Sequence, residues 1–157
     1  MSEKRHEYKV TVTWQGNTGT GTSGYRDYGR DHVISAHGKP DILASSDVAF
    51  RGDPARWNPE DLFLASLSAC HKLWYLHFCA VSGVIVTHYE DHAEGVMEID
   101  AEGTGRFTDV LLKPRVTIKA GTYPDIAAEL HAEAHEKCFI ANSVNFPVRC
   151  QAEIIEG

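Results

Sequence analysis

The chain has 157 residues, 43% of them hydrophobic and 24% charged, and its 22 acidic against 15 basic side chains give a formal net charge of -7 at pH 7. This length predicts one globular domain over residues 1–157, with a core that needs no disulfide or metal. The excess of acidic residues argues against nucleic acid as a partner. The apolar runs are short and interrupted, which argues against insertion in a membrane. Four cysteines without a CxxC pair favour the reducing cytoplasm.

Strands and a long loop are predicted before residue 58. Apolar residues alternate with polar ones from Tyr8 to Trp14, which is typical of a half-buried strand. After a Gly/Thr-rich stretch, a second strand is predicted over residues 25–36, followed by a turn at residues 38–41. Residues 44–56 are interpreted as a long ordered loop, a kind of segment that often carries function.

A helix is predicted to begin at Asn58-Pro59-Glu60-Asp61, which offers a capping Asn, a Pro at the first helical position and two acids in the first turn. Apolar or small residues on nearly every side predict that this helix, about residues 58–82, is buried and central. The remaining predicted elements are a strand over 84–100, bulged near 91–95, its hairpin partner over 107–119, a helix from Pro124 to at least Cys138 and a strand over 148–155. This order of elements is typical of an α+β fold.

Cys70 lies in the middle of the first predicted helix. A free cysteine in such a helix is more often a packing residue than a reactive one. Polar His71 and Lys72 beside it, and His77 two turns further on, favour a chemical role here. Cys138 ends the other long helix, where it could meet the first.

Two segments resemble the signature segments of a known family. Residues 58–70 (NPEDLFLASLSAC) and 135–143 (HEKCFIANS) are similar to those of the OsmC/Ohr family, which comprises osmotically inducible protein C and the organic hydroperoxide resistance proteins. The order of predicted strands and helices also agrees. The resemblance implies antiparallel sheets around two long helices, an intertwined homodimer, thiol-dependent reduction of hydroperoxides, and no metal or organic cofactor.

The resemblance also implies roles for the two helical cysteines. Cys70 would attack the hydroperoxide and become a sulfenic acid, and Cys138 would then form a disulfide with it. An external dithiol would restore both thiols. The substrate pocket is expected to be apolar, favouring organic hydroperoxides, and to be lined by Phe63, Leu67, Trp74, Phe139, Ile140 and Phe146.

A reactive thiolate also needs a cation, because an ordinary thiol is mostly protonated at pH 7. Cys70 lies roughly 18 Å from the helix N-terminus, too far for the helix dipole to act. The family pattern places an Arg from the N-terminal strands there, for which Arg30 fits best and Arg26 is the alternative, with Glu60 orienting it. Ten helical residues put Glu60 about 15 Å from Cys70 on a different face, so we expect the Glu60 and Arg30 that serve one Cys70 to come from the other subunit.

Two other functions stay open at this stage. One is a non-enzymatic small-molecule binding module on the same fold. The other is a metal-binding protein that uses His131 and His135, which are four residues apart on one helix face but lack the Glu of an HExxH motif. Cys79 and Cys150 are interpreted as packing residues. The polar and aromatic residues 71–75 depart from the family pattern and indicate a divergent subgroup, which leaves the substrate open.

Overall fold

The computed structural model describes residues 3–157. Within them the chain divides into two compact units, with the division between Leu62 and Phe63. Two helices and mixed sheets make up an α+β fold, as the sequence predicts. The prediction of one domain over the whole chain stays a prediction.

The first unit carries a three-stranded antiparallel sheet in the order β1-β2-β3. Its strands are β1 (Thr11–Trp14), β2 (His32–Ser35) and β3 (Ile42–Ala44). The strand predicted over residues 25–36 is shorter than expected, because residues 25–27 form a turn and a bend, Tyr28 makes an isolated bridge with Asn17, and residues 29–31 are irregular. The turn predicted at residues 38–41 is confirmed by Gly38, whose positive φ of 73° suits a residue without a Cβ.

The long helix α1 (Pro59–Val81) begins and ends where local signals place it. At its start the Asp61 backbone N–H donates to Asn58 Oδ1 over 2.8 Å, which satisfies one free amide of the first turn. At its end Gly83 adopts a φ of 78°, the left-handed conformation that commonly stops a helix. Before α1, the loop predicted over residues 44–56 is found at residues 45–56, since Ala44 belongs to β3, and it contains one 3-10 turn at Val48–Phe50.

The second unit contains two three-stranded sheets, ordered β4-β7-β9 and β5-β6-β8. The strands are β4 (Val86–Asp91), β5 (Glu94–Ile99), β6 (Gly105–Leu112), β7 (Pro114–Ile118), β8 (Val148–Cys150) and β9 (Glu153–Glu156). Each of the three long strands predicted here is therefore broken into two, and the halves belong to different sheets. The pairs β6·β8 and β7·β9 are parallel, so these sheets are mixed and not purely antiparallel as expected.

Asp91 stabilises the place where the chain changes sheets. Its Oδ1 accepts from the backbone N–H of Lys113, which separates β6 from β7, over 2.7 Å. Its Oδ2 accepts from the Ser68 hydroxyl of α1 over 2.5 Å. One carboxylate thus joins the end of β4, the break between β6 and β7, and the helix.

Burial of α1 follows one stripe and does not extend around the helix. Its buried residues are Leu67, His71, Tyr75 and Cys79, four apart in sequence. Leu73 and Val81 are 62% and 68% exposed, so the chain by itself does not enclose the helix on every side as its composition suggested. No helix within residues 3–157 is long and apolar enough to span a bilayer.

The second helix is α2 (Pro124–Lys137). Its Ala127, Leu130 and Ala134 share a core cluster with Tyr75 and Cys79, at the C-terminal end of the α1 stripe. It ends one residue earlier than predicted, and Cys138 is the first residue beyond it. A separate apolar cluster surrounds Leu67, at the N-terminal end of the same stripe. The two helices and the strands between them thereby fix Cys70 and Cys138 in the same unit.

Candidate active site

The two cysteines of the predicted redox pair lie next to each other in the second unit. Cys70 is half-buried on α1, and Cys138 is 1% exposed just after α2. The Cys70 thiol is near enough to Cys138 to affect its pKa, and both thiols are free. Two cysteines 68 residues apart in sequence are therefore neighbours in the fold.

The surroundings of Cys138 favour its protonated thiol. Burial raises the pKa of Cys138 to about 11, and the neighbouring Cys70 thiol acts in the same direction. The backbone N–H of Ala141, which donates to Cys138 Sγ over 3.5 Å, opposes that rise in pKa. Cys138 therefore carries its proton at neutral pH.

An apolar cavity of about 360 Å³ opens beside Cys70. Its lining from α1 is Cys70, Leu73, Trp74 and His77, whose spacing of three, four and seven residues places them on one helix face. Phe139 completes the lining and packs edge-on against Trp74, with ring centroids 5.3 Å apart. Among the described residues that line the cavity, His77 is the one ionisable side chain besides the Cys70 thiol.

The cavity differs in part from the predicted substrate pocket. Of the six predicted lining residues, Trp74 and Phe139 line it. The other four, Phe63, Leu67, Ile140 and Phe146, belong to the core cluster around Val110 and Leu112 and do not line this cavity. Leu73 was not predicted as a site residue, and His77 was noted near Cys70 but not predicted to line the pocket, although both lie at helical spacing from Cys70.

Arg30 is held by its own segment in the first unit. Its guanidinium donates to the Tyr28 carbonyl over 2.5 Å and to the Tyr25 carbonyl over 2.7 Å. It also lies over both rings, 3.8 Å from the Tyr28 centroid and 4.7 Å from that of Tyr25. Cation–π contact of this kind fixes the planar group in one orientation.

Arg26 and Glu60 also belong to the first unit. Arg26 is exposed, whereas Glu60 is half-buried as the second residue of α1. The helix is unbroken from Pro59 to Val81, as the argument for a composite site requires. The roles of Arg30, Arg26 and Glu60 toward Cys70 stay predictions.

The sequence offers His131 and His135 as a possible pair of metal ligands, but the structure places His131 beside His71. His131 is buried, whereas His135 is exposed, so α2 does not present the two as one ligand pair. His131 Nδ1 instead lies 3.0 Å from Nε2 of His71 on α1. Burial lowers the pKa of His71 to about 4, although the Asp91 carboxylate acts in the opposite direction, and burial lowers the pKa of His131 to about 3. Both imidazoles are therefore neutral at pH 7.

Comparison with protein families gives one match. The model of the OsmC-like protein family matches residues 52–153, a range that includes both Cys70 and Cys138. A search of curated proteins found no match.

Solved structures resemble the chain over nearly its whole length. An OsmC-like protein of unknown function from Vibrio cholerae is 32% identical, with a TM-score of 0.83, and the match covers 95% of this chain and 100% of that one. An organic hydroperoxide resistance protein from Legionella pneumophila is 20% identical with a TM-score of 0.67, covering 96% and 99%. One from Elizabethkingia anophelis is 16% identical with a TM-score of 0.67, covering 98% and 100%. At these lower identities the likeness shows the fold.

Proposed function

The chain belongs to the OsmC-like protein family, and from that premise we propose that it is a cysteine-based peroxidase that reduces organic hydroperoxides. The observation that carries this proposal is that Cys70 lines an apolar cavity and has the free thiol of Cys138 as its neighbour. The names of the Legionella and Elizabethkingia proteins of the same fold, which refer to organic hydroperoxide resistance, agree with it. The proposed enzyme works in the cytoplasm, where thiols are kept reduced.

The first step is attack of the Cys70 thiolate on the distal oxygen of the hydroperoxide. A sulfur–oxygen bond forms, the oxygen–oxygen bond breaks, and the leaving alkoxide takes up a proton to become an alcohol. Sulfur is oxidised to a sulfenic acid while the peroxide is reduced. The organic part of the substrate lies against Trp74 and Phe139, which suits an apolar group better than water.

The second step joins the two cysteines. Cys138, protonated and buried next to Cys70, condenses with the sulfenic acid to give a disulfide and one molecule of water. An external dithiol then reduces the disulfide by two thiol–disulfide exchanges and leaves with a disulfide of its own. The cycle needs no metal and no organic cofactor.

Titration of free thiols tests the proposal. The reduced chain has four free cysteines. After one equivalent of cumene hydroperoxide we expect two thiols to be lost and one equivalent of cumyl alcohol to form. An unchanged thiol count with cumene hydroperoxide retained would contradict peroxidase chemistry and would support the non-enzymatic binding module.

The cation that we propose for the site is Arg30, with Glu60 proposed to orient it. Because a guanidinium stabilises both the thiolate and the charge that develops on the peroxide oxygens, we expect Arg30→Met to lower kcat/KM for cumene hydroperoxide about a hundredfold. Arg26→Met is the matched control and should change kcat/KM less than about threefold. If Arg26→Met had the larger effect, Arg26 would be the catalytic arginine.

A homodimer with composite sites is the proposed assembly. The exposed Leu73 and Val81 give α1 an apolar face that a second chain would cover. When Cys70→Ser and Arg30→Met chains are co-expressed and form mixed dimers, one of the two sites in each mixed dimer has both residues intact. We expect activity to return to about a quarter of the wild-type value.

The control for this experiment is each variant alone, which should show almost no activity. If Arg30 served the Cys70 of its own chain, no site in the mixed dimer would be complete. The co-expressed mixture would then be as inactive as the separate variants, which would contradict the composite site. Light scattering of the wild-type protein should give the mass of two chains.

A further inference from the structure

A second cluster of potential ligands lies in the second unit, outside the proposed redox cycle. It consists of His71 from α1, His131 from α2 and Cys150 from β8. One ligand atom from each residue lies within 4.8 Å of the others. His71 Nε2 is 3.0 Å from His131 Nδ1 and 3.8 Å from Cys150 Sγ. Three separate elements therefore bring three side chains to one point.

Two buried polar atoms in or near the cluster have no hydrogen-bond partner within residues 3–157. His131 is 95% buried, and its Nε2 has no hydrogen-bond partner within residues 3–157. The hydroxyl of Tyr89, whose ring tilts against Tyr75 beside His131, is also buried without a partner in that range. His131 would bind an ion through Nδ1, so these two atoms show unsatisfied polar groups around the cluster and are not its ligand atoms.

The separations fit a tetrahedral metal ion. Two nitrogens at ordinary zinc distances lie about 3.3 Å apart, and a nitrogen and a sulfur lie about 3.6 Å apart. The observed 3.0 and 3.8 Å differ from these values by only a few tenths of an ångström, and the third pair of ligand atoms lies within 4.8 Å. The two ring nitrogens face each other, so both imidazoles would have to rotate to replace their mutual hydrogen bond by two metal bonds.

The donor set selects the class of ion. Two imidazoles and a thiolate suit zinc and other borderline-soft transition metals, and they do not suit magnesium or calcium, which prefer oxygen. Cys150 is exposed as a residue although its thiol faces His71, which gives an ion a route from solvent.

We propose that His71, His131 and Cys150 form a binding site for a borderline-soft divalent metal ion such as Zn²⁺. The ion would join α1, α2 and β8 and would stabilise the folded chain by binding to it preferentially. This site is separate from the Cys70–Cys138 pair and does not depend on the proposed peroxidase activity. The predicted pair His131 and His135 contributes only His131 to it.

The test uses the full-length Cys70→Ser/Cys138→Ser double variant, so that the redox cysteines cannot bind the ion. After removal of metal with a chelator, the protein is titrated with Co²⁺, a spectroscopic substitute for Zn²⁺. We expect one equivalent to bind, with the near-ultraviolet thiolate charge-transfer band and the visible bands of a tetrahedral site. Zn²⁺ should displace it and raise Tm.

Two further variants identify the ligands. Cys150→Ser, made in the double variant, should remove the charge-transfer band, and Cys150→Ser and His131→Gln should each weaken Zn²⁺ binding at least about a hundredfold. His135→Gln is the matched control on the same helix and should bind as the double variant does. Equal binding by all of these variants would overturn the proposal, as would no binding by the double variant itself.

A measurement that needs no further substitution keeps the proposal falsifiable if Cys150→Ser or His131→Gln fails to fold. X-ray absorption of the zinc-loaded double variant reports the coordination shell directly. We expect one sulfur at about 2.3 Å together with nitrogen ligands at about 2.0 Å. A shell without sulfur would contradict the site and would favour a closed hydrogen-bonded pair of histidines beside an uninvolved thiol.

Discussion

Cys70→Ser is expected to abolish peroxide consumption, lowering the rate with cumene hydroperoxide at least about a thousandfold, to the background of the reagents. A serine hydroxyl is not ionised at neutral pH and does not form a stable bond to oxygen in the way that sulfur does. The measurement is the loss of hydroperoxide over time in the presence of a dithiol reductant.

The matched control for Cys70→Ser is Cys79→Ala, which removes another thiol from the same helix. Cys79 packs in the core with Tyr75 and does not line the cavity. Cys79→Ala should keep peroxide consumption within about threefold of the wild-type rate and should cost only stability. Equal loss of activity in both variants would contradict a special role for Cys70.

Cys138→Ser is expected to permit one rapid turnover and then to leave Cys70 unprotected. The Cys70 sulfenic acid would persist, because no neighbouring thiol condenses with it, and excess peroxide would carry it to the sulfinic or sulfonic acid. Mass spectrometry of the intact chain should show a gain of two or three oxygens, located on the Cys70 peptide.

The wild-type chain, treated with the same peroxide and a dithiol reductant, is the control for Cys138→Ser. It should return to its reduced mass, since disulfide formation competes with overoxidation. Sustained turnover by Cys138→Ser at the wild-type rate, with no added oxygen, would show that another group resolves the sulfenic acid.

Local signals in the sequence predict the first helix well. Its start depends on the Asn58 cap and Pro59, and its end on Gly83, all of which act on their immediate neighbours. The face of the helix that is buried is not predicted, because nearly every position is apolar. Leu67 is fully buried and Leu73 is 62% exposed, although the two side chains are identical.

The splitting of the strands depends on tertiary contacts and is therefore missed. Both halves of each long strand carry the residue types of a continuous strand, so composition does not show that the chain changes sheets at Lys113 or between Asp91 and Glu94. The change at Lys113 is held by a hydrogen bond that the Lys113 backbone N–H donates to Asp91, 22 positions earlier in the chain. Pro114, which cannot donate to a strand neighbour, was the one local signal there.

The two kinds of candidate site differ in how far the sequence reveals them. The sequence motifs around Cys70 and Cys138 are sufficient to predict a pair of thiols. The contacts of His71 with His131 and with Cys150 join residues 60 and 79 positions apart, and no spacing rule relates residues so distant. Only the fold brings those side chains together.

The most direct test of the proposed chemistry is to map the disulfide that one equivalent of cumene hydroperoxide produces in the reduced protein. Free thiols are blocked with an alkylating reagent, and the digested chain is analysed by mass spectrometry without reduction. The proposed chemistry predicts one cross-linked pair of peptides, joined through Cys70 and Cys138, with Cys79 and Cys150 alkylated. Recovery of Cys70 and Cys138 as unlinked, alkylated thiols would contradict it.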